Sequence, residues 1–220
     1  MRKKNSNNLR KLLVREAARL MFEEGVDQYL DAKKKAAKKI LGKQRISLPS
    51  NGEISDELYQ LSLFHRGNEL STTLFDMRLL AMDVMEHLDS FSPRLIGSVS
   101  TGRIRHRSDI DLHIFTDSLE LFQNHLDGLQ WLYDIKQIWI EKGGRPVEYT
   151  HVYLDLEFPV ELSVYPTNEI RIRGRSSTDG KPINRLSISA LRDLVLTEHA
   201  DAWTDYISGN KIAEKFMDEM

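Results

Sequence analysis

The first 90 residues of the chain place apolar side chains at intervals of three and four positions. One such stripe lies between residues 9 and 24, and a longer one runs from Leu70 to Leu88. This spacing matches the period of an amphipathic helix. With Gly25 as a stop signal and Ser55 as a cap, the pattern predicts four helices, at residues 9–24, 27–41, 55–65 and 68–88.

Beyond Pro93 the apolar pattern changes to short runs and alternating positions, which are typical of β-strands. A strand is predicted at residues 94–99, a glycine-containing loop follows it, and a second strand begins near Ile110. Three further strands are predicted at residues 133–141, 147–156 and 160–165. The helices predicted in this part of the chain lie at residues 117–130, 187–199 and 200–216.

These elements predict an α+β protein with a small mixed β-sheet. We expect an N-terminal helical region at residues 1–90, a sheet core at 91–186 and C-terminal helices at 187–220. The chain has no cysteine, which excludes disulfides and thiolate metal sites and suits the cytoplasmic location that we expect. No apolar run reaches the roughly 20 residues of a membrane span, so no membrane partner is expected.

The stretch between the first two predicted strands is the most informative part of the chain. It begins with Gly97 and Ser98 and ends with Asp109 and Asp111. Because side chains alternate between the faces of a strand, the two aspartates point the same way. Neighbouring carboxylates repel one another unless a cation lies between them, and oxygen ligands suit Mg²⁺ or Mn²⁺. A glycine-serine turn offers N–H groups and a hydroxyl to phosphate oxygens, so this stretch predicts phosphoryl or nucleotidyl chemistry.

The order of these residues resembles the nucleotidyltransferase superfamily that includes DNA polymerase beta, kanamycin nucleotidyltransferase and the minimal nucleotidyltransferases. The pattern of that family is Gly-Ser, a spacer with a further glycine, and Asp-x-Asp on the next strand. The residues that match it here are Gly97, Ser98, Gly102, Ser108, Asp109 and Asp111. The strong match is confined to residues 96–115, and it implies that region 91–186 is a nucleotidyltransferase catalytic core.

The resemblance also implies a two-metal site for Mg²⁺ or Mn²⁺, with a nucleoside triphosphate as co-substrate. Asp109 and Asp111 would ligate the metals together with a third acid from a later strand. Glu161 is the first choice, because Val160 and Leu162 face the core and Glu161 then points to the opposite face. Asp155 and Glu157, on the preceding hairpin arm, are the alternatives. A glutamate departs from the polymerase pattern and agrees with the antibiotic-modifying branch.

The same resemblance assigns the triphosphate to the glycine-serine turn and to nearby polar residues. The residues expected to bind the nucleotide are Gly97, Ser98, Arg103, Ser108 and Lys181. Lys181 belongs to a basic segment that follows the third-acid strand and also holds Arg171 and Arg175. That segment either reaches the phosphates as a basic loop or is a solvated connection to the next helix.

Charge is distributed unevenly along the chain. Residues 1–45 hold 14 Lys or Arg and 5 Asp or Glu, although the net charge of the whole chain is −2. This asymmetry is compatible with a basic arm that contacts RNA or another polyanion. The alternatives are that the basic residues lie on a solvated helix face or dock on the acidic remainder of the chain.

Two functions agree with these features. The first is an enzyme that transfers a nucleoside monophosphate to an acceptor, which is a small molecule, a protein or an RNA, and releases pyrophosphate. The second is a catalytically silent nucleotide-binding or antitoxin-like module that acts by docking on a partner. The retention of both Asp109 and Asp111 favours the enzyme.

Overall fold

The computed structural model describes residues 2–41, 46–105, 107–142, 145–172, 174–176 and 180–218. They form a mixed α+β protein with helices at both termini, as the sequence predicts. The chain divides into two compact units, Met1–Leu70 with Gly174–Pro182 and Ser71–Arg173 with Ile183–Met220. The three regions expected from the sequence stay a prediction. No helix in the described part of the chain is long and apolar enough to cross a membrane.

The N-terminal unit is built around three helices, α1 (Arg2–Glu23), α2 (Tyr29–Ile40) and the first half of α3 (Asn51–His87). Their apolar stripes meet in one cluster, which confirms the helical periodicity of the sequence. The buried residues of this cluster are Leu13, Ala17, Ala18, Leu20, Met21, Ala32, Ala36, Ile54 and Leu58. At its edge the Arg10 guanidinium donates to both oxygens of Glu53, at 2.7 and 2.6 Å.

Helix α3 replaces the two helices predicted at 55–65 and 68–88. It is kinked at Arg66, where φ is −142° and ψ is 27°, so the predicted interruption is a break within one element. The expectation that Ser55 caps the helix is wrong. A capping box lies further upstream, since Glu53 N–H donates to Ser50 Oγ and Ser50 N–H donates to Glu53 Oε2.

The second unit contains one five-stranded sheet in the order β1-β2-β5-β4-β3. Its strands are β1 (Arg94–Leu95), β2 (Ile110–Phe115), β3 (Tyr133–Lys142), β4 (Arg145–Asp155) and β5 (Pro159–Tyr165). Strands β2 and β5 are parallel, and the other neighbours are antiparallel. The unit also contains the second half of α3 and the α-helices α4 (Gly97–Thr101), α5 (Leu119–Gly128), α6 (Ile188–Glu198) and α7 (Ala200–Asp218). Ser118 and Ser187 cap α5 and α6.

The first strand is shorter than predicted. The sequence predicts a strand at 94–99, whereas β1 ends at Leu95 and Gly97 begins the short helix α4. Val99 is fully buried on that helix, so the apolar run reflects burial and not an extended backbone. A short apolar run does not distinguish a buried strand from a buried helical turn.

The two faces of the sheet differ in chemistry. Alternate residues of β2, β4 and β5 bury one face, including Ile110, Leu112, Val152, Leu154, Val160 and Leu162. Residues paired in register on neighbouring strands share a face. On the opposite face, called here the polar face, one row holds Asp111, Glu161, Tyr153 and Asp134, and the next holds His113, Ser163, His151 and Lys136. The sheet therefore presents acids and histidines in adjacent rows.

The capping box at the start of α3 gives a stability prediction. Replacing Ser50 with Ala removes the acceptor for Glu53 N–H and should cost about 0.5–2 kcal/mol of unfolding free energy. The matched change Ser55→Ala, inside the helix, should leave the urea midpoint within about 0.5 kcal/mol of wild type. Urea unfolding followed by circular dichroism measures both, and equal losses in the two variants would contradict the assignment.

Candidate active site

Three carboxylates meet on the polar face of the sheet. One oxygen from each of Asp109, Asp111 and Glu161 lies within 4.8 Å of the others. The backbone explains this convergence, because Asp111 and Glu161 are register partners on parallel strands and Asp109 lies two residues before Asp111. The structure therefore brings together the three acids that the sequence singled out.

The two alternative third acids lie elsewhere on the hairpin. Asp155 ends β4 and pairs with Pro159, and Glu157 lies in the turn that follows. Both are exposed. Among the described residues, the group of acids that meets around Asp109 and Asp111 contains neither of them, which favours Glu161 as the third ligand.

Burial makes the negative charges of this cluster unfavourable. Burial, together with the smaller effect of the charges of Asp109 and Glu161, raises the pKa of Asp111 to about 7. Burial also raises the pKa of Asp109, against the opposing effect of a backbone hydrogen bond. A divalent cation would remove this penalty, and an all-carboxylate donor set suits Mg²⁺ or Mn²⁺. These residues thus fit the metal that the sequence implies.

Gly97 is in direct contact with the Asp111 carboxylate. Its φ is +71°, in the left-handed region that favours glycine. A Cβ at this position would overlap Asp111 Oδ2 and lie 3.0 Å from Asp111 Cγ. Ile96 N–H also donates to Asp111 O at 3.0 Å, which ties the turn to β2. Glycine is therefore required here both by the backbone angle and by the close approach of the acid.

The loop between α4 and β2 is held by its own backbone. Gly102 ends α4 with a φ of +73°, and Arg103 N–H donates to Ser98 O at 2.9 Å. Ser108 Oγ accepts from Arg105 N–H at 2.8 Å, in a turn that leads directly to Asp109. The structure gives Ser108 a role in shaping this turn, and the contacts of Ser98, Arg103 and Ser108 with a nucleotide stay predictions.

Lys181 is an exposed residue of the short segment Gly174–Pro182, which groups with the N-terminal unit. Its carbonyl accepts from Ser176 N–H at 2.8 Å, and the Arg175 guanidinium donates to Gly180 O at 2.8 Å. These contacts join described residues at the two ends of this segment. The role of Lys181 in binding phosphate stays a prediction.

Several basic side chains of the N-terminal helices have acidic partners in their own unit. Arg19 pairs with Glu16, Glu23 and Glu24, and Lys39 also pairs with Glu16. These pairs neutralise part of the basic excess of residues 1–45. Contact with RNA or another polyanion stays a prediction that would depend on the remaining exposed lysines.

The sequence reasoning missed two residues that support the site. His151 Nδ1 lies 2.6 Å from Glu161 Oε1. Arg78 is fully buried, and its guanidinium donates to Val99 O of α4 at 3.2 Å and to Glu198 Oε2 at 2.7 Å. The alternation of β4 could have placed His151 beside the acids once the register was known. No local signal distinguishes Arg78 from the other polar residues of a helix.

His113 has a structural role on the polar face. It is 3% exposed, and its Nδ1 accepts from Arg185 Nε at 2.9 Å. Burial, assisted by the charges of Arg185 and His151, lowers its pKa to about 3. The ring is therefore neutral at physiological pH and serves as an acceptor for Arg185.

Comparisons with known proteins add little to this description. No protein-family model matches the chain, and no curated protein matches it. Among solved structures, a chain of the GLD-2/RNP-8 complex is similar over 48% of this chain and 44% of that chain, with 18% identity and a TM-score of 0.27. The match thus spans less than half of that chain, and a likeness of this size carries no argument about function.

The contact between Gly97 and Asp111 gives a prediction about metal binding. Gly97→Ala should weaken Mn²⁺ binding about 10-fold or more, because the new methyl group displaces the acid. Gly25→Ala is the matched control, since Gly25 has a φ of +66° but open space around its Cβ position. This control should lose only about 1–2 kcal/mol of folding stability, the cost of a left-handed backbone angle, and should keep the wild-type affinity for Mn²⁺. Calorimetric titration with Mn²⁺ measures the difference, and unchanged affinity in Gly97→Ala would contradict it.

The raised pKa of Asp111 gives a prediction about stability. In the unfolded chain this carboxyl ionises near pH 3.8, whereas in the fold it ionises near pH 7. Asp111 therefore lowers the stability of wild-type protein as pH rises between these values, and Asp111→Asn lacks this contribution. In EDTA, the variant should melt at least about 3 °C above wild type at pH 8 and together with it at pH 4, since 1 kcal/mol corresponds to roughly 2–4 °C.

Added Mn²⁺ separates this effect from a general gain in stability. The ion should raise the melting temperature of wild-type protein and leave that of Asp111→Asn unchanged. A ligand that binds only the folded state stabilises that state, and the variant lacks one of the three ligands. A wild-type protein that melts above the variant at pH 8 in EDTA would show that the three charges are not in conflict.

Proposed function

We propose that this chain is a metal-dependent nucleotidyltransferase that moves a nucleoside monophosphate from a nucleoside triphosphate to an acceptor and releases pyrophosphate. The observation that carries the proposal is the convergence of Asp109, Asp111 and Glu161 beside the Gly97 turn. Each feature is common alone. A glycine-serine turn in contact with an acid of a three-carboxylate cluster would place phosphate donors beside metal ligands, as transfer at a phosphorus atom requires.

The proposed roles follow from the chemistry of each group. Asp109, Asp111 and Glu161 would hold Mg²⁺ or Mn²⁺, which when bound stabilises negative charge on the attacking and leaving oxygens. The N–H groups at Gly97 and Ser98, with the Ser98 hydroxyl, would bind the phosphates that leave. The other residues proposed to contact the nucleotide are Arg103, Ser108 and Lys181.

The reaction forms a bond between an acceptor oxygen and the α-phosphorus and breaks the bond from that phosphorus to the bridging oxygen. Pyrophosphate leaves with the bonding electrons, and the proton of the acceptor hydroxyl passes to a carboxylate or to water. Glu161 is the proposed acceptor of this proton. Most of the rate would come from positioning and charge stabilisation, as in phosphoryl transfer in general.

The acceptor is proposed only as a group with a nucleophilic oxygen, on a small molecule, a protein or an RNA. The exposed lysines of α2, Lys34, Lys35 and Lys38, would favour a polyanion. A silent binding module is the competing function. The raised pKa values of Asp109 and Asp111 argue against it, because a module without a metal gains nothing from keeping buried acids in conflict.

Turnover of labelled triphosphates tests the proposal. Purified protein with each α-labelled nucleoside triphosphate, Mg²⁺ or Mn²⁺ and a panel of acceptors should release pyrophosphate and transfer label. Asp109→Asn, Asp111→Asn and Glu161→Gln should each lower the rate about 1,000-fold or more, since each removes several kcal/mol of charge stabilisation.

The matched controls are the exposed acids of the same hairpin. Asp155→Asn and Glu157→Gln should keep the wild-type rate. Full activity in Glu161→Gln together with loss in Glu157→Gln would move the third ligand to Glu157. Nucleotide binding without metal-dependent release of pyrophosphate would support the silent module.

A further inference from the structure

The residue that holds Glu161 in place lies on the neighbouring strand. Tyr153 of β4 is the register partner of Glu161, and His151 is one step further along the same face. His151 is 8% exposed, and its Nδ1 lies 2.6 Å from Glu161 Oε1. This short contact joins the second row of the polar face to the row of acids.

The direction of this hydrogen bond is set by the acceptor. An ionised carboxylate only accepts, so Nδ1 carries the hydrogen and donates to Glu161. The other ring nitrogen, Nε2, is buried without a hydrogen-bond partner among the described residues. Burying an unsatisfied polar atom costs about 1–3 kcal/mol. An apolar ring would avoid that cost, so packing alone does not account for histidine at this position.

Glu161 is the member of the cluster that needs such support. Its side chain has one more rotatable bond than the aspartates, and a free glutamate samples more positions. Asp111 is already fixed by its contact with Gly97, and Asp109 follows the turn closed by Ser108. A hydrogen bond from a buried ring would fix the Glu161 carboxylate in one position, as these contacts do for the two aspartates.

We propose that His151 is a positioning residue that fixes the Glu161 carboxylate for metal binding through its Nδ1–H. The inference rests on the metal site of the proposed function. His113 shows that the contact is specific, since it lies in the same row with a similar burial but turns its Nδ1 to Arg185. Of these two histidines, His151 is the one whose Nδ1 contacts a carboxylate of the cluster.

Mn²⁺ affinity of four variants, measured by titration calorimetry, tests this role. His151→Phe keeps a ring and loses the donor, and it should bind Mn²⁺ about 10-fold or more weakly. His151→Asn places an amide N–H where Nδ1 lies and should stay within about 3-fold of wild type. His151→Gln, whose amide reaches towards the Nε2 position, should not restore binding. His113→Phe should bind within about 3-fold of wild type.

The pattern across the variants decides the outcome. Wild-type affinity in folded His151→Phe would overturn the inference, and so would an equal loss in His113→Phe, which would indicate a general effect of disturbing the sheet. Recovery by Asn and not by Gln is a readout that a structural role would not produce. If His151→Phe fails to fold, the comparison of Asn with Gln still decides.

A second measurement separates this inference from the proposed function. In metal-free protein labelled with nitrogen-15, proton NMR should show a downfield resonance from the Nδ1–H of His151. Glu161→Gln should shift this resonance, and His113→Phe should retain it. That signal, with weaker Mn²⁺ binding in His151→Phe, supports the positioning role even if no nucleotide is turned over. No Mn²⁺ binding by wild-type protein would overturn both proposals. Mn²⁺ binding with the same affinity in wild-type protein and His151→Phe would overturn only the positioning role of His151.

Discussion

Repulsion between the carboxylates on the polar face is the constraint to which the rest of the site responds. Two unit charges 4 Å apart repel by about 4 kcal/mol at an effective dielectric constant of about 20, which is comparable to the net stability of a domain. The parallel register of β2 and β5 fixes Asp111 beside Glu161, so the backbone cannot relax to separate them. A proton or a cation must relieve the conflict, and near neutral pH a proton does so only in part.

The surroundings of the three acids hold their carboxylates close together in spite of the repulsion between them. Gly97 touches Asp111, the Ser108 turn precedes Asp109, and His151 Nδ1 lies within hydrogen-bond distance of Glu161. Arg78, buried below α4, ties Val99 O to Glu198 on α6 and so anchors the turn that carries Gly97. Each acid therefore has its own support, and the supports come from different parts of the chain. A site assembled in this way is stiff, which favours a ligand of fixed geometry over an adaptable one.

The sequence was sufficient for the parts of this structure that depend on local pattern. The stripes of α1 and α2 follow from periodicity, and the position of Glu161 on the face of Asp111 follows from strand alternation. Two local predictions were wrong, because a capping box at Ser50 outweighed Ser55 and because a buried helical turn resembled a strand at Val99. The contacts of His151 and Arg78 could not be predicted, since they depend on register and on packing between distant segments.

The contact of Gly97 with Asp111 also limits how this site can evolve. Any side chain at position 97 collides with the carboxylate at 111, so a substitution at the turn would be tolerated only if residue 111 became smaller or withdrew. Such a compensating change would remove an acid from the cluster. The two positions are thus epistatic, and descendants of this chain that abandon the glycine are expected to have abandoned the acid as well.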